Sequence, residues 1–196
     1  YHFKEINRET KLYGVIGNPV SHSMSPAIHN VAFSEKELNN IYVPLNIADI
    51  DTFMRKYKKI NFQGFSVTIP HKESVLPFLD DLDHTARKIG AINTIVNRNG
   101  KLIGYNTDCM AAVMGLECSL KETGEKLNNK KVSIIGAGGA ARAIIFGLKE
   151  KGCDITIFNR TIERAERLSH DVQCRFESVE EINKLDSDIL INTTPI

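Results

Sequence analysis

A chain of 196 residues, 42% of them hydrophobic, holds enough apolar material for one large core or two small ones. Lysine plus arginine number 25 against 24 aspartate plus glutamate, so there is no net field to draw in nucleic acid or an anionic membrane surface. Cys109, Cys118, Cys153 and Cys174 form no CxxC pair and no metal-ligand spacing; this suits a reducing compartment such as the cytoplasm, and no apolar run nears the ~20 residues that span a bilayer.

Apolar runs of strand length alternate with helix-length segments. This pattern predicts an α/β fold with largely parallel sheets. Residues 1–10 read as a linker or the end of an upstream domain. Leu12–Ile16 is the first expected strand. Ser25 and Pro26 open a helix running to about Leu38, with Ser25 at the N-cap and Pro26 at the first helical position. Ile41–Leu45 is a strand, Asp49–Lys58 a helix and Gly64–Ile69 a third strand, and Lys72–Leu79 and Asp83–Ile89 are expected to be helical. Asn99-Gly100 is a type I′ turn signal between two β runs. With those two residues as the loop, 98 faces 101, and counting outward sets Asn93 opposite Asn106, with Asp108 two residues beyond. Asp108–Thr123 is helical and 124–130 is a polar connection, which puts the domain boundary near it and divides the chain into 11–123 and 124–196. Lys131–Ile135, Asp154–Phe158 and Asp188–Asn192 are strands, with helices at Gly139–Lys151 and Thr161–Ser169. About 70 residues after the boundary are fewer than two βαβαβ halves need. The chain is therefore expected to be a piece of a longer protein, and by itself weakly active or inactive.

Gly136-Ala137-Gly138-Gly139-Ala140-Ala141 sits between an expected strand and an expected helix, the context that a G-x-G-x-x-G/A dinucleotide fingerprint requires. Gly136 permits the tight turn, Gly138 lets backbone approach a pyrophosphate, and free N–H groups at the helix start receive the phosphates. The next strand ends in Asn159-Arg160-Thr161, with Arg164 one turn on. An NAD site places an acid there for the ribose 2′-hydroxyl; two arginines instead suit a 2′-phosphate, so NADP is the expected cofactor. Thr161 reads as both a helix cap and a ligand.

Residues 124–196 are thus expected to form a Rossmann-like dinucleotide-binding domain, and its hydride carrier calls for an alcohol or ketone substrate in the other half, which makes 11–123 an N-terminal α/β substrate domain. Polar side chains cluster at expected strand ends: Ser23 and Ser25, then Thr68 and Lys72, then Asn93 and Asp108. α/β sheets bind ligands at such ends. A lysine and a carboxylate delivered there can move a proton on a hydroxyl-bearing substrate. Each has a plainer reading, with Ser25 and Asp108 as helix caps and Lys72 as a solvated lysine. His22, His29 and His71 fall on a loop and on different helices, which argues against a metal site.

Taken together the residues resemble the shikimate dehydrogenase family. Gly17-Asn-Pro-Val-Ser-His-Ser23-Met-Ser25-Pro26 with His29-Asn30 is similar to its N-terminal signature. Val67-Thr68-Ile-Pro-His-Lys72, Gly90-Ala-Ile-Asn93-Thr94, Gly104-Tyr-Asn-Thr-Asp108, Gly136-Ala-Gly-Gly-Ala140, Asn159-Arg-Thr161 and Asn192-Thr193-Thr-Pro195 follow in the family's order. The resemblance implies reversible NADP-dependent interconversion of shikimate and 3-dehydroshikimate. It implies that Ser23 and Ser25 hold the carboxylate, that Thr68, Asn93 and Asp108 bind ring hydroxyls, and that Lys72 carries the proton with Asp108 as its partner. Thr193 joins the cofactor residues on the same ground. Ser66 stands where many single-function members carry asparagine, which alters one ring-hydroxyl contact. In this Ser66 resembles the branch fused to an upstream dehydroquinate dehydratase. Quinate dehydrogenase and a non-catalytic shikimate- or quinate-sensing module on the same fold are the rival expectations; a sensor would tolerate loss of Lys72 or of the glycine loop, and both are intact.

Overall fold

In the computed structural model, which describes residues 6–57 and 62–194, the apolar run after Thr10 forms strand β1 (Lys11–Gly17) at the heart of a six-stranded sheet. Its neighbours are β2 (Asn40–Asn46) and β3 (Phe62–Val67), both parallel to it. β5 (Thr94–Arg98) runs antiparallel to β3 and to β6 (Lys101–Tyr105), and the two-residue β4 (Asp81–Leu82) closes the order β2-β1-β3-β5-β6-β4. The hairpin register is as the turn signal predicts: Arg98 faces Lys101 and Thr94 faces Tyr105. Asn99 and Gly100 take φ of 54° and 88°, the left-handed pair that a type I′ turn needs.

Helices α1 (Ser25–Glu35), α2 (Ile50–Lys56), α3 (His71–Ser74) and α4 (His84–Ile89) link these strands. Asp49 and Asp83 cap α2 and α4 through their carboxylates. Ser25 is not the cap of α1: it is already helical, no side chain caps the preceding Met24, and the Ser23 hydroxyl instead accepts from the Ser25 N–H at 3.3 Å. The helix expected over 72–79 is broken in two, because Pro77 cannot donate to a continuing ladder and the chain tightens into a 3₁₀ turn at Leu76–Phe78. Lys58, the expected end of α2, lies outside the described residues, as do residues 1–5 of the expected linker and Pro195 of the last motif. Ile16, Phe65, Val67, Val75, Ile92, Ile95 and Leu102 form the centre of the first core, each contributing about 1.5–3 kcal/mol by its removal from water.

The second sheet is wholly parallel, with order β10-β7-β8-β9, from β7 (Lys131–Ile135), β8 (Asp154–Asn159), β9 (Arg175–Ser178) and β10 (Ile189–Asn192). That is the strand order of one nucleotide-binding half plus the first strand beyond the switch point. α5 (Asp108–Thr123), α6 (Gly139–Glu150) and α7 (Ile162–Val172) accompany it. Val113 of α5, with Leu116 and Leu120 packed beside it, joins Ile134, Ile145, Leu148, Ile155 and Ile157 in the second core. The chain accordingly divides into two compact units at Asn106/Thr107, earlier than the polar connection after Gly124. Among the described residues no helix is long and apolar enough to cross a membrane, and no disulfide involves Cys109, Cys118, Cys153 or Cys174.

Candidate active site

In the first unit, β5 reverses direction, so its start lies beside the ends of β3 and β6. Ser66 pairs with Thr94, which pairs with Tyr105. The Val67 N–H donates to the Asn93 carbonyl at 2.7 Å, and the Asn93 N–H to that of Tyr105 at 3.0 Å. β1 joins the row through the Thr68 N–H, which donates to Ile16 at 2.9 Å, and its outgoing loop is tied down by the Asn18 N–H on the Ile69 carbonyl at 2.8 Å. That loop delivers Ser23 and Ser25. Ser23, Ser25, Ser66, Thr68, Lys72 and Asn93 are all half-buried, the state of side chains that line a cleft and not that of a fully solvated surface.

Lys72 rides on the short α3, whose position is set from both sides. The Lys72 carbonyl accepts from the buried Ile92 N–H at 2.8 Å. His71, one residue earlier, is 3% exposed, and its Nε2–H donates to the Ile47 carbonyl at 2.6 Å. This histidine therefore ties α3 to the segment that follows β2. Asn106 is likewise buried and gives its amide to the Ala91 carbonyl at 2.9 Å. It pins the Gly90–Asn93 segment, while Thr94 Oγ1 donates to Asn93 Oδ1 at 3.0 Å and orients that amide.

The sequence reading missed Tyr42. Its phenol is buried in a small cluster with Val15 and Val20, on the sheet face that α1 covers. Asn30 clamps its backbone at both groups: Asn30 Oδ1 accepts from the Tyr42 N–H at 2.9 Å and Asn30 Nδ2 donates to its carbonyl at 2.8 Å. His29 stacks on the ring, centroids 4.4 Å apart and planes 14° from parallel. His29-Asn30 was legible as a motif; what the pair holds was not, because a tyrosine in a strand carries no periodicity signal of its own.

In the second unit Asp108 opens α5, where the helix macrodipole favours a negative charge, and is half-buried. β7 runs into Gly136, whose φ of 111° and N–H bond to the Phe158 carbonyl at 2.8 Å turn the chain sharply. A Cβ on Gly136 would lie 2.3 Å from Thr193 Oγ1. Thr193 is bound to the end of β7 twice, its N–H and its hydroxyl donating to the Ile135 carbonyl at 2.9 and 2.7 Å. Gly138 is the N-cap of α6, with no side-chain cap, no acid in the first turn and open space where a Cβ would stand. Backbone donors at this helix start are thus left for an anion, and the fingerprint of Gly136, Ala137, Gly138, Gly139 and Ala140 fits a pyrophosphate.

β8 ends at Asn159, whose side-chain amide donates to the Thr161 carbonyl at 2.7 Å. Thr161 occupies the N-cap position of α7, though its hydroxyl makes no capping bond. Arg160 and Arg164 are exposed and enter no ion pair among the described residues, whereas Arg142 pairs with Asp171 and Arg175 with Asp154. Arg160 just past the end of β8 and Arg164 in the first turn of α7, with no acid over 159–161 though Glu163 shares that turn, fit a 2′-phosphate.

Residues 15–95 match the family described as the shikimate dehydrogenase substrate binding domain, and residues 118–195 match shikimate / quinate 5-dehydrogenase. The chain belongs to the shikimate dehydrogenase family. It is 43% identical to the shikimate dehydrogenase (NADP(+)) of Caldanaerobacter subterraneus, over 98% of this chain and 71% of that protein. It is 42% identical to the chloroplastic bifunctional 3-dehydroquinate dehydratase/shikimate dehydrogenase of Arabidopsis thaliana, over 99% of this chain but only 34% of that longer protein. The crystal structure of the Thermus thermophilus shikimate 5-dehydrogenase in complex with NADP(H) and shikimate superposes with a TM-score of 0.75 at 33% identity, covering 94% of this chain and 68% of that one.

Proposed function

We propose that this shikimate dehydrogenase family chain interconverts shikimate and 3-dehydroshikimate with NADP as cofactor, a step of chorismate and aromatic amino-acid biosynthesis. The observation that carries the reading is the row of half-buried polar side chains at the shared end of β1, β3 and β5, in a chain whose other unit offers an uncapped glycine helix start. The identity to relatives named as NADP-dependent shikimate dehydrogenases supports the substrate and the cofactor.

Ser23 and Ser25 bind the substrate carboxylate, and Ser66, Thr68 and Asn93 bind ring hydroxyls. Lys72 carries the proton. As a ketone is reduced, negative charge builds on its oxygen; the ammonium of Lys72 stabilises that charge and then protonates the oxygen. In the reverse direction the neutral amine accepts the hydroxyl proton. Asp108 supplies the carboxylate of the reaction and holds a hydroxyl. Gly136 to Ala140 receive the pyrophosphate, Asn159, Arg160, Thr161 and Arg164 the adenosine ribose and its 2′-phosphate, and Thr193 supports the turn. NADP, when bound, accepts or supplies the hydride.

A dehydroquinate dehydratase domain upstream in the natural protein is supported by the likeness to the plant protein, and the mass of the native polypeptide checks it. Ser66 favours quinate dehydrogenase as the second reading. The test follows cofactor absorbance with the full-length protein, crossing shikimate and quinate with NADP and NAD. Turnover with shikimate and NADP is the expected result; activity confined to quinate and NAD would overturn both assignments.

A further inference from the structure

A buried polar atom without a partner costs stability and asks for an explanation. Among the described residues one side-chain atom is in that state, the hydroxyl oxygen of Tyr42. The residue is 4% exposed. Its surroundings are not loose, since Asn30 holds both of its backbone groups and His29 covers its ring. The phenol is aimed by construction.

It is aimed at the polar row. Tyr42 pairs with Tyr13 in β1, and Val15, two residues on, pairs with Ser66 in β3. In parallel strands these residues share one face, so the long ring of Tyr42 reaches across Val15 towards the end of β3. The polar groups that bear on its hydroxyl are those of Ser66 and Ser25. Neither closes a hydrogen bond of proper geometry to it. Burial dominates the titration and pushes the phenol above its ordinary range, so it stays protonated and keeps a proton to donate.

Resting on the function proposed above, we infer that Tyr42 is a positioning residue for the substrate: its buried hydroxyl closes onto Ser66 when the ring is bound. The serine hydroxyl, relieved of its own need for a donor, is thereby directed at the ring, with Ser25 next to it held for the carboxylate. The two serine hydroxyls thus share one fixed inner partner. Tyr42 touches neither the reacting carbon nor the cofactor, so its contribution is uniform binding energy and not transition-state stabilisation.

The experiment uses the full-length enzyme and Tyr42→Phe, which removes only the oxygen and keeps the stacked ring. A neutral hydrogen bond of ordinary net strength predicts a KM for shikimate about three- to tenfold higher. kcat, the KM for NADP and the thermal midpoint should remain close to wild type. In a Ser66→Ala background the same substitution should change KM less than about twofold, because the hydroxyl through which it acts is gone. An unchanged KM in Tyr42→Phe overturns the inference, as does a penalty that persists in full without Ser66. Loss of the fold in Tyr42→Phe also overturns it, since the oxygen would then be a packing requirement. A wild-type enzyme that turns over no shikimate overturns the function itself, and this inference with it; the other outcomes leave the function standing.

Discussion

Lys72 is the side chain on which the proposed chemistry depends, and its neighbours hold it in place. Taken alone, a lysine after a proline is most simply a solvated surface residue. Here the chain is tied at His71 to the half-buried Ile47 and at the Lys72 carbonyl to the buried Ile92. Lys72→Ala in the full-length enzyme should lower kcat by at least ~10²-fold, the usual scale for a proton-transferring group, while calorimetric titration finds shikimate bound with little loss. Wild-type turnover in that variant would remove Lys72 from the mechanism. The residues around it also show how far chemistry can be read from residue type. His71 carries the most versatile titratable group available, yet it serves as a hydrogen-bonded peg, and Tyr42, an ordinary strand residue, holds the one buried orphan hydroxyl among the described residues.

Among the elements, the β7–Gly136–α6 unit is the most sharply specified. Gly136 combines a φ of 111° with a Cβ position 2.3 Å from Thr193 Oγ1, so alanine there is both strained and obstructed. Gly136→Ala should cost about 1–3 kcal/mol of stability and weaken NADP binding well beyond that of shikimate. Thermal melts with each ligand check this, and equal retention of both ligands would count against the assignment of the turn. This element was readable in the sequence because its requirements are local: an apolar run, a tight turn, a helix start. The hairpin was readable for the same reason, and its register came out as counted. β4 and β9 were not. Two residues in one case, and Arg175-Phe176-Glu177-Ser178 in the other, are too short or too polar to carry a strand period; each exists because a neighbouring strand offers it a ladder.

At the scale of the molecule, the proposed function assigns a different ligand to each of the two units. Hydrogen exchange on the full-length enzyme should find NADP slowing amides around Gly136–Ala141 and Arg160–Arg164, and shikimate slowing those around Ser23–Ser25, Ser66–Lys72 and Asn93. Protection by NADP confined to the first unit would refute this division of labour. The helix α5 illustrates what one-dimensional information leaves open. Its bounds, Asp108–Thr123, were plain from its apolar spacing and from Gly124, the left-handed residue that ends it. Its apolar face, however, says only that some core must cover it, and Val113 joins the second, which moves the division between units to Asn106/Thr107. The hairpin turn, the glycine fingerprint and the order of the motifs were legible in the chain because each depends on a few consecutive residues, whereas several helix ends, those of α1 and α3 among them, were not. The fate of an apolar face, the burial of Tyr42 behind Ser66 and Ser25, and the conversion of His71 into a structural tie needed the folded molecule, because each is set by groups that sequence separation keeps apart and only packing brings together.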